Sequence, residues 1–259
     1  MDTRTSFISS LELPDLDTHV RSLGLGAKAF KLRAAPEPDK PTATLIKGQV
    51  TAFSAGLQSQ DKQDVEYTTL AAQLNSDVMV KDNQTLQGMQ DWFKNYASVM
   101  SNLGWIMSFE WEKYNASSAG LSVDKVILEV ISAIATQNGM AIAKAAMDAV
   151  SKLPQDDGRL KLFSNSTMGA SAGKFLLGTC TKEGNDSIAL CFGAFAMDYK
   201  TRDTSVLWFN WKSSDVNMYK DQKIATFNQK YYATGARSAL EAKMAGHAES
   251  YVADLDLGF

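Results

Sequence analysis

SIALCFGAFAMDYK, residues 187–200, reads as a β-strand with no polar side. Side chains alternate across a strand. Ile188, Leu190 and Phe192 therefore fall on one face, and Cys191, Phe195 and Met197 on the other. Both sets are apolar, and a strand hidden on both faces needs a layer of structure over each. The expectation is a sheet between two helical layers.

The neighbouring stretches extend that sheet. Residues 174–182 read as a second strand, and Glu183-Gly184-Asn185-Asp186 is turn chemistry, so the two strands form an antiparallel hairpin. Lys200-Thr201-Arg202-Asp203 is the next turn. Residues 105–114 read as a strand because Trp105, Met107, Phe109 and Trp111 alternate with Ser108, Glu110 and Glu112. Further strands are read at 159–166, 205–212 and 220–228.

Helical spacing marks 61–80, with Val65, Leu70 and Leu74 on one side. It also marks 83–103, where Leu86, Met89, Phe93, Tyr96, Ala97 and Met100 recur until Gly104. Over 122–153, Ser122 can cap a stripe of Val123, Val126, Ile127, Val130, Ile131 and Ile134. Gln137-Asn138-Gly139 breaks the stripe, and Met140, Ala143, Met147 and Val150 begin another. This is an αα-hairpin or one long helix kinked at Gly139. A last helix is read at 236–252. Helices come largely first and strands largely later, which is an α+β order. The expected fold class is α+β, a mainly antiparallel sheet in an α/β/α sandwich.

Pro36, Pro38 and Pro41 favour extended chain, so 34–43 reads as a linker. Before it, Leu11, Leu13, Leu16, Val20, Leu23, Leu25 and Phe30 make an amphipathic arm with one short helix. The expected organisation is an arm and linker over 1–43 and a single domain over 44–259.

Composition narrows the function. The chain has 259 residues, 45% of them hydrophobic, and a net charge of −3. That balance offers no basic excess for phosphates, which disfavours nucleic acid as a partner. The first residues lack the basic and then apolar pattern of a secretory signal. The longest charge-free apolar stretches, 95–109 and 130–143, are about 15 residues or fewer, short of the ~20 that a helical span needs. His19 and His247 stand at opposite ends and read as surface residues, and with no HExxH and no CxxC no metal is expected. No GxSxG, GxxxxGK[ST] or GxGxxG occurs, so no enzyme is expected. Residues 168–173, MGASAG, read as a connector, because a phosphate-cradling loop should open a helix. Glu110 and Glu112 read as a solvated strand face.

The two cysteines read as free thiols. Cys191, inside an apolar strand, is expected to be buried, and Cys180, nearer the turn, to be the more accessible. If the sheet lines an apolar cleft, either can carry an acyl chain. Burying ~14 methylenes at ~0.8 kcal/mol each is worth roughly 10 kcal/mol. Trp208, Phe209 and Trp211 suit core packing, a lipid-facing pocket or an interfacial belt.

Residues 123–153, VDKVILEVISAIATQNGMAIAKAAMDAVSKL, precede 185–231, NDSIALCFGAFAMDYKTRDTSVLWFNWKSSDVNMYKDQKIATFNQKY. Together they resemble the Cyt cytolytic delta-endotoxins. The matching features are a helix pair that includes 125–130, Cys191 in an apolar strand, and an aromatic strand running into 206–217. The pattern has no counterpart before residue 120. The resemblance implies the fold shared with Evf-type insect virulence factors, where palmitate is held in thioester linkage to a buried cysteine. It implies Cys191 or Cys180 as the lipid attachment, with Ile127, Ile131, Ile134, Phe195, Met197, Trp208 and Phe209 around the acyl chain. The implied partner is a lipid or membrane. The implied function is a virulence factor that promotes infection of an insect gut. Such a protein is made in the bacterial cytoplasm and is released or membrane-associated in the host. A Cyt-like pore former and a partner-binding protein without a lipid role are the alternatives.

Overall fold

The hairpin legible in the sequence forms the centre of the molecule. The computed structural model describes residues 3–22, 39–82, 84–114, 121–169, 171–183, 187–199, 210–211 and 216–258. Strand β6 (Ala172–Glu183) pairs antiparallel with β7 (Ser187–Tyr199), and β7 with β9 (Val216–Asn228). On the other side β6 runs parallel to β2 (Gln49–Phe53), which pairs antiparallel with β1 (Thr42–Ile46). The edge beyond β1 is β10 (Val252–Leu255). At the opposite edge β3 (Trp105–Ile106) and β4 (Glu112–Tyr114) both pair with β9. Among the described residues the sheet has eight strands, and β5 (Leu121–Ser122) with β8 (Asn210–Trp211) makes a separate two-stranded sheet.

Helices cover both faces of β7. Its Ile188, Leu190 and Phe192 are buried toward α3 (Ser59–Met79) and α4 (Leu86–Asn102), with Phe192 against Phe109 and Phe109 against Phe93 of α4. Its Phe195 and Met197 are buried under α5 (Val123–Ser132) and α6 (Gln137–Ser151). The close approach is sharpest at Gly193, where an added Cβ would meet the Phe195 ring at 2.9 Å and Val130 of α5 at 3.1 Å. The fold is the α+β sandwich that the two-faced strand demands.

Several elements differ from the sequence reading. Residues 159–166 are not a strand but most of helix α7 (Gly158–Thr167). Leu160 and Leu162 mimic alternation, but Asp157 caps the first turn by accepting from the Arg159 amide, and Leu160, Phe163 and Thr167 share a buried helical side. The strand read at 105–114 is interrupted. Phe109 and Trp111 turn inward onto Phe93, and the Glu110 amide donates to the Asp221 carboxylate in place of a ladder carbonyl. The break between α5 and α6 falls before Gln137, because Thr136 is the N-cap of α6, accepting from the Gly139 amide. Strand β1 starts at Thr42, inside the stretch read as a linker. Of the strand read at 205–212, only 210–211 lies within the described residues.

The arm contains two helices, α1 (Thr3–Ser10) and α2 (Leu16–Ser22), strapped across α9 (Arg237–Tyr251). Ile8, Leu11 and Val20 are buried there. Arg4 donates to the Tyr231 carbonyl in α8 (Gln229–Ala233), Lys243 to the carbonyls of Ile8 and Ser9, and Asn75 of α3 to the Glu12 carbonyl. The two histidines, distant in sequence, meet on this seam. His19 Nδ1 lies 2.8 Å from the Tyr251 hydroxyl, and His247 Nε2 lies 3.3 Å from the Pro14 carbonyl oxygen. Burial pushes His19 down from 6.5 to about 4, and the Lys47 ammonium adds to this against the opposing pull of Asp77. The neutral ring is therefore the form the fold holds. Its contribution is complete above pH 6.5 and is lost as pH falls from there toward 4. With each unit worth ~1.4 kcal/mol, discounted for the ring's partial exposure, the loss is about 2 kcal/mol. Urea unfolding of the wild type and His19→Gln at pH 7 and pH 4 checks this. The wild type should lose about that much more than the variant, and parallel losses would contradict it.

Candidate functional site

The two thiols point to opposite sides of the sheet. Cys180 pairs in register with Phe53 and Leu190, and Cys191 with Thr179 and Ile224. Cys180 is fully buried on the α3–α4 side, where burial drives its thiol far up and away from ionisation. Cys191 lies on the α5–α6 side, only partly covered, with its Sγ 3.7 Å from the Ile134 carbonyl in the turn between those helices. Burial and the Glu183 charge raise this thiol too, so it rests protonated. The accessibility expected from sequence is thus reversed. The reason is coverage: α3 and α4, through Glu66 and Tyr96, lie over Cys180, whereas the α5–α6 turn leaves part of Cys191 open.

The structure brings several predicted lining residues together. Ile127 and Ile131 of α5 are buried against the sheet, on the face that carries Phe195, Met197 and Cys191, and Phe195 stacks on Phe175 at 4.6 Å. Ile134 is half-buried above Cys191. Trp208 and Phe209 lie outside the described residues. Next to Cys191 this face becomes apolar surface. Ile224, its partner on β9, is 53% exposed, and Ile106 of β3, paired with Thr226, is 73% exposed. A concavity of about 410 Å³ lined by Ala149, Leu153, Arg159 and Leu257 sits at the far end of α6 from this thiol. Among the described residues no helix is long and apolar enough to cross a membrane.

The opposite face is laced with polar groups that sequence reading missed. Asp64 of α3 is gripped by Arg237 of α9 and by Gln229, and Asp61 by Lys182 of β6 and by Gln229. Nearer the β1–β2 turn, Lys47 pairs with Asp77 at 2.6 Å, and the Trp92 indole donates to the same carboxylate at 2.8 Å. Burial would raise Asp77, but Lys47 and Lys174 beside it and the bonds from Lys47 and Trp92 hold it below its usual value. Lys174 is only 8% exposed, with its ammonium 5.0 Å over the Trp92 ring. The available signal was a lysine at the start of an otherwise apolar strand.

Comparison with known proteins adds little to this geometry. No known protein family and no curated protein sequence matches the chain. A solved structure, that of the Evf virulence factor, is similar at a TM-score of 0.34 and 11% sequence identity, over 92% of this chain and 90% of that one. The resemblance is distant and structural only.

Thiol titration separates the two cysteines. A disulfide reagent should modify Cys191 in the folded protein and reach Cys180 at least about 100-fold more slowly, because only opening of the core exposes Cys180. Comparable rates in Cys180→Ser and Cys191→Ser would contradict the assignment.

Proposed function

We propose that this chain is a virulence factor of the Evf type, carrying a fatty acyl chain on the α5–α6 side of its sheet and using it to associate with membranes during infection of an insect gut. The observation that carries the reading is Cys191, a partly covered thiol paired across the ladder with the exposed Ile224, with exposed Ile106 on the next strand out of the same face. Palmitate as a thioester is the specific form. The sulfur of Cys191 bonds to the carbonyl carbon of an acyl thioester donor, the donor's thiol leaves, and the cysteine's proton goes with it. The product removes an ionisable group from an apolar place, and each buried methylene adds ~0.8 kcal/mol. Cys180 is the weaker candidate, since acylation there needs the α3–α4 face to open.

A second reading, a Cyt-like pore former, has its own support. Strands β6, β7 and β9 are 12, 13 and 13 residues long. A tilted transmembrane strand needs about 9–11. Such strands cross a bilayer only as a closed sheet.

Intact mass before and after neutral hydroxylamine tests the first reading. The protein purified from its native producer should carry an excess of one C16-type acyl group that hydroxylamine removes. Cys191→Ser should lack it, and Cys180→Ser should keep it. An unshifted mass from that source overturns the acyl reading. Dye release from liposomes by the unmodified protein would then favour the pore.

A further inference from the structure

The charged cluster at the end of the sheet has one positive charge too many. Lys47, at the turn between β1 and β2, and Lys174, at the start of β6, converge on one carboxylate, Asp77. Asp77 is taken by Lys47 and by the Trp92 indole. Lys174 makes no hydrogen bond or ion pair with any described residue, and only the Trp92 ring faces its ammonium. An ammonium on a nearly enclosed side chain with no protein acceptor is costly unless something entering the hollow pairs with it. Burial pushes this one down to about 8, so at neutral pH it is still mostly charged.

Two further features point the same way. Lys174 and Ser166 jointly line two small adjoining hollows of about 10 and 20 Å³. The Ser166 hydroxyl is buried there without a partner. Lys47 adopts a left-handed φ of 53°, a conformation a lysine rarely takes. The fold holds that strain while keeping a second cation at the hollow, as strained residues at binding sites commonly do. Gln84, beside Gly169, also lines the second hollow and adds a polar side chain to it.

We propose that this cleft between the β1–β2 turn, α4 and the end of α7 binds a phosphate-type oxyanion, with the Lys174 ammonium as counter-charge and the Ser166 hydroxyl as donor. Each hollow admits about one oxygen-sized atom. The ligand therefore inserts its terminal oxygens and leaves its body outside. Free phosphate and the headgroup of an anionic phospholipid both present that chemistry. The site is independent of any acyl group on Cys191, which lies on the other face of the sheet.

Thermal unfolding of the full chain with inorganic phosphate, against sodium chloride of equal ionic strength, is the first arm. At tenfold excess over Kd the midpoint should rise by about 3 °C. Lys174→Met should show no such rise. Without phosphate it should be at least as stable as the wild type, because it removes an unpaired buried charge while still covering Trp92. A purely structural Lys174 would give a less stable variant. Ser166→Ala should weaken binding about tenfold. The second arm is flotation with phosphatidylcholine vesicles, with and without phosphatidylglycerol. Lys174-dependent binding to the anionic vesicles without a phosphate response would assign the site to a lipid headgroup. A phosphate response that survives in Lys174→Met, or no Lys174-dependent response in either arm, overturns the proposal. Should Lys174→Met not fold, Ser166→Ala and the wild type carry the same comparison.

Discussion

The structure depends on a strand that cannot tolerate water on either side. β7 hides Ile188, Leu190 and Phe192 on one face and Phe195 and Met197 on the other. A sheet centred on such a strand is stable only when both faces are covered, and apolar burial at roughly 25 cal/mol per Å² drives that coverage. The helical layers and the antiparallel neighbours β6 and β9 follow from it. So does Gly193, since any side chain there would strike Val130 and Phe195.

The two layers are held by different physics. Directional bonds tie α3 and α4 to the sheet and to α9. Trp105 donates to Thr68, Tyr96 to Gln49, Gln73 to the Ile46 carbonyl, and Lys182 and Arg237 reach the carboxylates of Asp61 and Asp64. Losing either cation strands a buried carboxylate, a cost that the partial exposure of Lys182 and Arg237 reduces. The α5–α6 layer rests instead on Val126, Ile127, Val130, Ile131, Ile142, Ala143, Ala146 and Met147, all buried and apolar.

Local patterns made much of this legible and long-range ones did not. The β6–β7 hairpin was readable because period-two burial and the Glu183–Asp186 turn lie within one short window. Helix α4 was readable from a single stripe. Helix α7 was misread because Leu160 and Leu162 alternate over a few residues while both are buried. Strands β1 and β2 were missed because Lys47-Gly48 is not favoured hairpin chemistry. Lys47 holds its left-handed backbone while bonded to Asp77, about 30 residues along the chain. The same reason hid the cleft. Nothing near Lys174 in sequence shows that Trp92 will cover it. Cys180 and Cys191 could be recognised as thiols on apolar strands, but which one is open depends on how α3 and α4 cover one face and on where α5 turns into α6.

That difference in bonding has a consequence for an apolar medium. Lipid competes with apolar contacts, because it solvates leucine and isoleucine as well as a protein core does, but it cannot replace a hydrogen bond or an ion pair. The layer over α3 and α4 is therefore protected in such a medium by Asp61, Asp64, Gln73 and Thr68. Among the described residues, the layer over α5 and α6 has, against the sheet and its β4 edge, a weak thiol contact from Cys191 to Ile134 and one exposed bond from Tyr114 to Glu129. An apolar medium therefore weakens the contacts of the α5–α6 layer more than those of the α3–α4 layer. The face with the weaker, largely apolar contacts is also the one where Cys191, Ile224 and Ile106 reach solvent.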